Sequence, residues 1–276
     1  MAYAGAMTGL EEIDTGSPKL RHWRDAGVAI ISFDDPESRN AVGYDLRPIL
    51  RATIDSIAAD NSVRCLLLTG EGDTFCAGGN AKAMGTQEQP PLETRIRQIR
   101  FESEVVAVIH EMPKPSIAAL PGAAAGAGFS LALACDLRIA SEQAFLLTAF
   151  KRLGLPGDFG GSWLLTQLVG SARARELYYL SPKVGAEQAL AWGLFNRVVP
   201  KERLREEALA WARELAEGPP VAYRYMKENL GRAQHEGLRT CIAEEAVRQC
   251  WAGETQDFKE AARAFVGKRK PVFEGR

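Results

Sequence analysis

The chain has 276 residues, of which 46% are hydrophobic and 25% are charged. This composition excludes a disordered chain, because disorder goes with few apolar residues. The 34 lysines and arginines nearly balance the 35 aspartates and glutamates, so the basic excess of a nucleic-acid-binding protein is absent and no nucleic-acid partner is predicted.

Apolar runs in the chain are too short for a membrane span, because none reaches 18 residues. Residues 1–16 lack the basic segment and apolar block of a secretory signal. The five cysteines form no C-x-x-C pair, and Cys65 and Cys135 lie in apolar runs, so we expect buried, reduced thiols and a cytoplasmic protein. The three histidines lie far apart in the sequence, which gives no reason to predict a metal site.

Strand-like and helix-like segments alternate in the first part of the chain. Buried strands are predicted at residues 28–33, 65–69 and 116–120, each an apolar run bounded by turn residues or prolines. Apolar residues at helical spacing predict helices over residues 44–59 and 96–111. Strands separated by helices need crossover connections, so the sequence predicts an α/β fold.

The last part of the chain, from residue 201, is nearly all helical. The predicted helices are residues 204–215, 221–234, 238–251 and 255–266. We therefore predict two parts, an α/β core over residues 1–200 that carries the site and a helical region over residues 201–276 that serves in oligomerisation.

Two glycine-rich turns follow predicted strands, at residues 70–80 and 121–128. Small residues let a backbone approach a ligand closely, and free N–H groups at a helix start favour negative charge. Two such turns side by side would direct two N–H groups at one oxygen and form an oxyanion hole. The alternative is a pair of tight turns with close helix packing. Neither turn has the complete glycine pattern of a P-loop or a dinucleotide site.

Five segments resemble the enoyl-CoA hydratase/isomerase (crotonase) superfamily. They are FCAGGN at 75–80, GAAAGAGFSLALACD at 122–136, GLPGDFGGSWLLTQLVG at 154–170, SPKVGAEQALAWGLFNRVV at 181–199 and AFVGKRKPVF at 264–273. The resemblance covers nearly the whole chain and implies a crotonase spiral of repeated ββα units with a helical C-terminal region. It also implies a homotrimer or a dimer of trimers that acts on an acyl-CoA thioester. Coenzyme A would be part of the substrate, with no permanently bound cofactor.

The resemblance further implies which groups hold the enolate of the thioester. One backbone N–H would come from Gly79, which follows Ala77 and Gly78. The other would come from Ala127, a position where relatives often have glycine. Alanine keeps the N–H, so we expect the oxyanion hole to survive.

The chain departs from the family's hydratases at both of their catalytic glutamates. Ser130 and Phe150 stand at those two positions. Hydration needs one group to activate water and another to manage the proton at the α-carbon. We therefore expect no ordinary hydration by this pair and assign both side chains to substrate binding.

Asp158 is the remaining candidate acid–base residue, in the segment LPGDFGG just before an apolar helix. The matching position carries a catalytic aspartate in dienoyl-CoA isomerases, ring-epoxide isomerases and aryl-CoA dehalogenases, and the ring-epoxide branch is the most similar. An apolar wall that includes Phe150 and Phe159 would raise the pKa of the Asp158 carboxyl. The alternative is that Asp158 caps the helix. Dehalogenation would also need a base such as His110, which a helix C-terminal cap explains better.

Contacts to coenzyme A are implied by the same resemblance. Asn40 and Ala41 would meet the adenine through their backbone, while Phe265 and Lys268 would touch the adenosine phosphate, in relatives sometimes across a subunit interface. The stretch from Gly79 through Asn80 and Ala81 to Lys82 would follow the pantetheine, with Lys82 near the phosphates, and Ala77 is also assigned to substrate binding. The alternative for the lysines is a solvated surface charge. The polar residues 85–92 predict a mobile loop beside the site.

The function predicted from these observations is isomerisation of an unsaturated or ring-epoxide acyl-CoA. Asp158 would take a proton from one carbon and return it to another, which moves a double bond without adding water. Two alternatives stay open. One is an enoyl-CoA hydratase with non-standard catalytic groups, such as a loop glutamate. The other is a non-catalytic acyl-CoA-binding subunit, because a fold alone does not establish activity.

Overall fold

A computed structural model describes residues 10–80 and 90–276 of the chain. In chain order, its strands are β1 (Glu11–Ile13), β2 (Leu20–Asp25), β3 (Val28–Phe33), β4 (Cys65–Gly70), β5 (Thr74–Cys76), β6 (Ser116–Leu120), β7 (Ala123–Ala125), β8 (Leu137–Ser141), β9 (Phe145–Leu147), β10 (Val184–Gly185) and β11 (Arg197–Val199). Its α-helices are α1 (Arg47–Ala59), α2 (Leu92–Glu111), α3 (Ala127–Ala134), α4 (Gly161–Leu180), α5 (Ala186–Ala191), α6 (Leu204–Ala216), α7 (Pro220–Ala233), α8 (Leu238–Gly253) and α9 (Gln256–Val266).

The strands form two sheets. The larger sheet has the order β1-β2-β3-β4-β6-β8-β11 and is parallel from β3 onward. The smaller sheet has the order β10-β9-β7-β5, with β5, β7 and β9 parallel. Three times in succession, a strand of the larger sheet is followed by a strand of the smaller sheet and a helix: β4-β5-α2, β6-β7-α3 and β8-β9-α4. This repeat confirms the predicted α/β fold of ββα units.

The predicted strands match the structure closely because they are buried on both faces. The strands at residues 28–33 and 116–120 match to the residue, and the strand predicted at residues 65–69 extends to Gly70. Every residue of these three strands is buried, as expected for central parallel strands that are covered on both sides.

Helix starts are where the sequence predictions were wrong. The helix predicted from residue 44 begins at Arg47, because a turn closed by the Leu46 N–H and the Gly43 carbonyl precedes it. The helix predicted from residue 96 begins at Leu92, directly after Pro91. Leu92, placed in the predicted loop at 85–92, therefore opens a helix, while residues 81–89 lie outside the described residues. The C-terminal helices agree with prediction to within two residues.

Two apolar layers cover the larger sheet. On one face, alternate strand residues such as Ile31 and Leu68 pack against α1, α2, α3 and α4. On the other face, Ile30 and Leu67 pack against α6, whose Ala208 and Ala212 allow close approach. The helix α6 thus completes this core from beyond residue 200. The predicted division into a core over residues 1–200 and a helical region over residues 201–276 stays a prediction.

The five cysteines are free, and Cys65, Cys76 and Cys135 are buried, whereas Cys241 is half-buried and Cys250 is exposed, so the expectation of buried thiols is wrong for these two. Within residues 10–80 and 90–276, no helix has both the length and the apolar character that a membrane crossing needs. Nor do the residues in these two ranges include a group of three side chains suited to hold a metal ion.

Candidate active site

The two glycine-rich turns meet at one edge of the smaller sheet. Strands β5 and β7 pair in parallel, so the segments that follow them leave the sheet at the same edge. A Cβ atom added to Gly78 would lie 2.6 Å from the Ala125 carbonyl oxygen and 3.2 Å from the Ala127 nitrogen. One added to Gly128 would lie 2.3 Å from the Cys76 carbonyl oxygen. The side-by-side arrangement of the turns therefore depends on glycine at both positions.

Among the described residues, the backbone at this contact leaves N–H groups without an acceptor, including those of Gly79 and Ala127. Gly126, at φ +52°, directly precedes α3, and Ala127 is the first helical residue, whose N–H has no acceptor within the helix. Among the hydrogen bonds of residues 10–80 and 90–276, none has the Gly79 or Ala127 N–H as its donor. The helix dipole of α3 adds positive potential at Ala127. Free N–H groups at a helix start favour negative charge, and the oxyanion hole itself stays a prediction.

Residues 39–43 run alongside the first turn. The Ala77 N–H donates to the Arg39 carbonyl at 3.1 Å, and the Val42 N–H donates to the Gly78 carbonyl at 2.7 Å. Ala41, between these contacts, is buried. The segment expected at the adenine of coenzyme A is thus fixed directly to the turn expected at the thioester.

Asn40 uses its side chain inside the protein. The residue is 1% exposed and its φ is +59°. Its Nδ2 donates to the carbonyls of Glu71 at 2.9 Å and Thr74 at 2.7 Å, and its Oδ1 accepts from the Asp35 N–H at 2.9 Å. The side chain therefore joins the end of β4 to β5, and only its backbone is left to meet a substrate.

Asn40→Ala is expected to lower the free energy of unfolding by about 1–3 kcal/mol, because buried carbonyls lose their donors. Alanine also tolerates a positive φ less well than asparagine does. Urea denaturation measures the change. Asn61→Ala, at an exposed turn, is the matched control and should change stability by less than about 0.5 kcal/mol. Equal effects of the two substitutions would contradict the assigned role.

Asp158 lies in the loop between β9 and α4, anchored through its main chain. The Ser130 hydroxyl donates to the Asp158 carbonyl at 3.2 Å, and the Gly161 N–H donates to the same oxygen at 3.2 Å. Ser130 is fully buried in α3, so the helix that starts at Ala127 also positions Asp158. Ser130 thus anchors the loop with its hydroxyl, and its predicted contact with substrate stays a prediction.

The capping interpretation of Asp158 is wrong. The N-cap of α4 is Gly160, which has no side-chain capping bond and a φ of +65°. The Oδ1 atom of Asp158 is buried and has no hydrogen-bond partner. A carboxylate oxygen without a donor is costly to bury, so Oδ1 does not stabilise the fold through a hydrogen bond.

Burial raises the pKa of the Asp158 carboxyl above its ordinary value, while the positive charge of Arg47 opposes the shift. Arg47 is itself buried, pairs with Glu102 at 3.3 Å and lies over the ring of Phe159 at 5.4 Å. The carboxylate thus lies in apolar surroundings with one cation near it. A base whose proton affinity is raised in this way is suited to accept a proton from carbon.

Phe150 presents an apolar ring beside the second turn. It is 5% exposed and stacks on Tyr178 with ring centroids 5.9 Å apart. Its Cε1 atom lies 3.9 Å from where a Cβ of Gly126 would be. Hydratase chemistry at this position would need a carboxylate, and this ring supplies none.

The other predicted residues lie apart from this cluster or outside the described residues. Phe265 and Lys268 are exposed at the C-terminal end of α9, where no bond or ring contact joins them to the two turns. His110 lies in the last turn of α2, two residues before the C-cap Met112, and its ring packs edge-on against Trp163 at 5.4 Å. Ala81 and Lys82 fall in the range 81–89, outside the described residues. Asn80 follows Gly79 at the end of the first turn.

Two residues of the cluster, Arg47 and Tyr178, were missed by the sequence reasoning. Arg47 lies three residues before Leu50 on the buried stripe of α1, an unusual place for a cation. Tyr178 continues the inward face of α4 four residues after Ala174. A polar group on an otherwise apolar stripe was the signal available for both.

Comparison with known proteins gives a consistent result. The family model described as "Enoyl-CoA hydratase/isomerase" matches residues 24–276. The chain is 36% identical over 251 residues to "1,2-epoxyphenylacetyl-CoA isomerase" of Escherichia coli K12, covering 91% of this chain and 96% of the relative. It is 38% identical over 257 residues to a "Probable enoyl-CoA hydratase" of Rhodobacter capsulatus, covering 93% and 98%. The crystal structure of an enoyl-CoA hydratase from Polaromonas sp. JS666 is similar, with a TM-score of 0.87 at 32% identity over 92% of this chain and 99% of that one.

Proposed function

The chain belongs to the enoyl-CoA hydratase/isomerase family, and on that premise we propose that it isomerises an unsaturated or ring-epoxide acyl-CoA with Asp158 as the proton shuttle. One observation carries the proposal. Among residues 10–80 and 90–276, Asp158 is the sole carboxylate with a buried oxygen that lacks a partner, and it is tied to the helix that starts at Ala127. Similarity to the isomerase of E. coli supports the choice of reaction.

The two unpaired N–H groups, of Gly79 and Ala127, would hold the thioester oxygen. Removing a proton near the thioester moves an electron pair onto that oxygen and forms an enolate. Fixed N–H donors stabilise this charge, and losing one typically costs about 10²–10³ in rate. Alanine at 127 supplies the same N–H as glycine would.

Asp158, when ionised, would accept a proton from one carbon of the acyl group. For a 3-enoyl-CoA, the electron pair of the broken C–H bond at the α-carbon forms an enolate that is conjugated with the old double bond; when it returns, the new double bond joins the α- and β-carbons and the pair of the old double bond takes up a proton at the γ-carbon. When the enolate collapses, the carboxylic acid returns the proton to a different carbon. Atoms balance without water, which agrees with the absence of a carboxylate at Ser130 and Phe150.

The remaining substrate contacts form part of the same proposal. Coenzyme A would enter only as part of the substrate, with its adenine along the backbone of Asn40 and Ala41. The pantetheine would follow the stretch from Gly79 through Asn80 and Ala81 to Lys82, and Ala77 would also contact the substrate.

Assembly into homotrimers, or dimers of trimers, in the cytoplasm would let Phe265 and Lys268 serve a neighbouring subunit. The helices α7 to α9 expose large apolar side chains that an interface would bury, among them Leu230, Leu238, Trp251 and Phe265.

Water labelled with ¹⁸O distinguishes isomerisation from hydration. Hydration is the alternative that the similarity to the "Probable enoyl-CoA hydratase" of R. capsulatus favours. The protein is incubated with a 3-enoyl-CoA and with a 2-enoyl-CoA in H₂¹⁸O. We expect the 3-enoyl-CoA to become the conjugated isomer with no ¹⁸O in the acyl chain by mass spectrometry. A 3-hydroxyacyl-CoA that carries ¹⁸O would identify a hydratase and contradict the proposal. Tight binding without conversion of either thioester would identify a binding subunit.

A further inference from the structure

A second polar atom is buried without a partner beside Asp158: the hydroxyl of Tyr178. Tyr178 lies on α4, and its ring stacks on Phe150 with an interplanar angle of 15°. Nothing among the described residues accepts a hydrogen bond from its O–H. Phenylalanine would make the same stacking contact without burying an unpaired hydroxyl, so packing alone does not account for tyrosine here.

The space for this hydroxyl is made by glycines of the loop that carries Asp158. A Cβ on Gly157 would lie 3.0 Å from Cε1 of Tyr178 and 3.5 Å from its hydroxyl oxygen. A Cβ on Gly161 would lie 2.9 Å from the same oxygen. The phenol therefore extends directly beneath the Asp158 loop.

The neighbouring hydroxyl, that of Ser130, has a different use. The same added Cβ of Gly161 would lie 2.3 Å from Ser130 Oγ, so both hydroxyls converge on this glycine. Ser130 donates to the Asp158 carbonyl, whereas Tyr178 donates to no atom within residues 10–80 and 90–276. Of the two hydroxyls, Tyr178 is the one left to serve a ligand.

The Tyr178 hydroxyl stays protonated, because burial and then the negative charge of Asp158 raise its pKa above the ordinary value. A neutral phenol in apolar surroundings is a donor that seeks an acceptor oxygen. Since Asp158 Oδ1 is itself unpartnered, the two side chains are not bonded to each other. The acceptor is therefore to be sought on the bound acyl group.

We propose that Tyr178 is a specificity-determining residue whose hydroxyl donates to an oxygen atom on the acyl group, so that the site favours an oxygenated acyl-CoA, such as a ring epoxide or hydroxyl, over a plain enoyl chain. This rests on the proposed function, in which Asp158 meets a carbon of the acyl group, and on the assignment of Phe150 to substrate binding. A site built to donate to an oxygen discriminates against analogues that lack it, because the donor is then left unpaired.

The test uses stable ligands, so that it does not depend on turnover. Dissociation constants are measured by calorimetry for phenylacetyl-CoA and its three ring-hydroxylated isomers, with the wild type, Tyr178→Phe and Tyr179→Phe. Tyr179 is the adjacent tyrosine and is 69% exposed, which makes it the matched control. We expect the wild type and Tyr179→Phe to bind at least one hydroxylated isomer about tenfold more tightly than phenylacetyl-CoA, as one added hydrogen bond predicts.

In Tyr178→Phe this preference should fall below about threefold, while the affinity for phenylacetyl-CoA stays unchanged. A purely structural role would weaken all four ligands together and leave the preference intact. A wild type without any preference, or a preference that Tyr178→Phe keeps, would overturn the inference. Because no reaction is involved, failure here leaves the isomerase proposal standing, and failure of isomerisation leaves this preference measurable.

Discussion

Asp158→Asn is expected to lower kcat for isomerisation by about 10³- to 10⁴-fold, the upper part of the range for a lost acid–base group. Asparagine has the same shape but cannot accept a proton from carbon. The main-chain bonds that hold the loop, from Ser130 and Gly161 to the carbonyl of residue 158, do not involve the side chain. Binding of a non-reactive acyl-CoA should therefore change by less than about threefold.

Steady-state kinetics and calorimetry measure these two quantities. Asp14→Asn, at an exposed position, is the matched control and should leave both unchanged. Equal losses of affinity and of kcat in Asp158→Asn would mean that Asp158 shapes the site and does not carry the proton.

The same substitution should raise the melting temperature at neutral pH. Because burial raises the pKa of Asp158, the folded protein binds this proton more tightly than the unfolded chain does. The contribution to stability is complete below the unfolded pKa and is lost as the pH rises through the folded one. At neutral pH the ionised carboxylate is thus a cost that asparagine removes. The difference in Tm should shrink in acid; a lower Tm for Asp158→Asn at neutral pH would contradict this account.

Gly128→Ala is expected to lower kcat/KM by about 10²–10³, comparable to the loss of one oxyanion donor. In an ordinary helix interior this substitution stabilises by up to about 1 kcal/mol. Here the new Cβ would lie 2.3 Å from the Cys76 carbonyl oxygen and 2.7 Å from Cys76 Cβ. The backbone must therefore move, which separates the turns that hold Gly79 and Ala127 and costs about 1–3 kcal/mol of stability.

Gly231→Ala is the matched control for this effect, because Gly231 lies inside α7 with nothing within 4 Å of its added Cβ. It should keep activity and gain slightly in stability. Both variants are compared by steady-state kinetics and by urea denaturation. Opposite signs in stability would support the close approach of the two turns, whereas a stabilised and fully active Gly128→Ala would refute it.

The central strands were predictable because a strand that is buried on both faces shows in the sequence as a nearly continuous apolar run. The runs at residues 28–33 and 116–120 are apolar apart from Ser32 and Ser116 and are bounded by turn residues or prolines, so the sequence itself marks where these strands begin and end. Helix starts carry less local information. Whether α2 begins at Leu92 or four residues later depends on Pro91 as its N-cap and not on its apolar stripe.

The site was predictable only in part, since its polar groups are set by packing between distant elements. The sequence pointed to Asp158 but left open whether it caps the following helix. The structure excludes that role, because Gly160 is the N-cap of α4 and has a positive φ. Arg47 and Tyr178 lie on α1 and α4, and the sequence does not show that the loop at Asp158 joins them. The residues around Arg47 and Tyr178 are brought there by tertiary contacts, which no short sequence pattern encodes.

Proton transfer between two carbons by Asp158 is the central claim, and deuterium exchange tests it most directly. The wild type and Asp158→Asn are incubated in D₂O with a 3-enoyl-CoA. Deuterium is followed by mass spectrometry and the double-bond position by NMR. With the wild type, we expect a 2-enoyl product that carries deuterium to the extent that the Asp158 carboxyl exchanges with D₂O before it returns the proton; with Asp158→Asn, we expect neither product nor deuterium. Exchange and isomerisation at the wild-type rate in Asp158→Asn would contradict the claim.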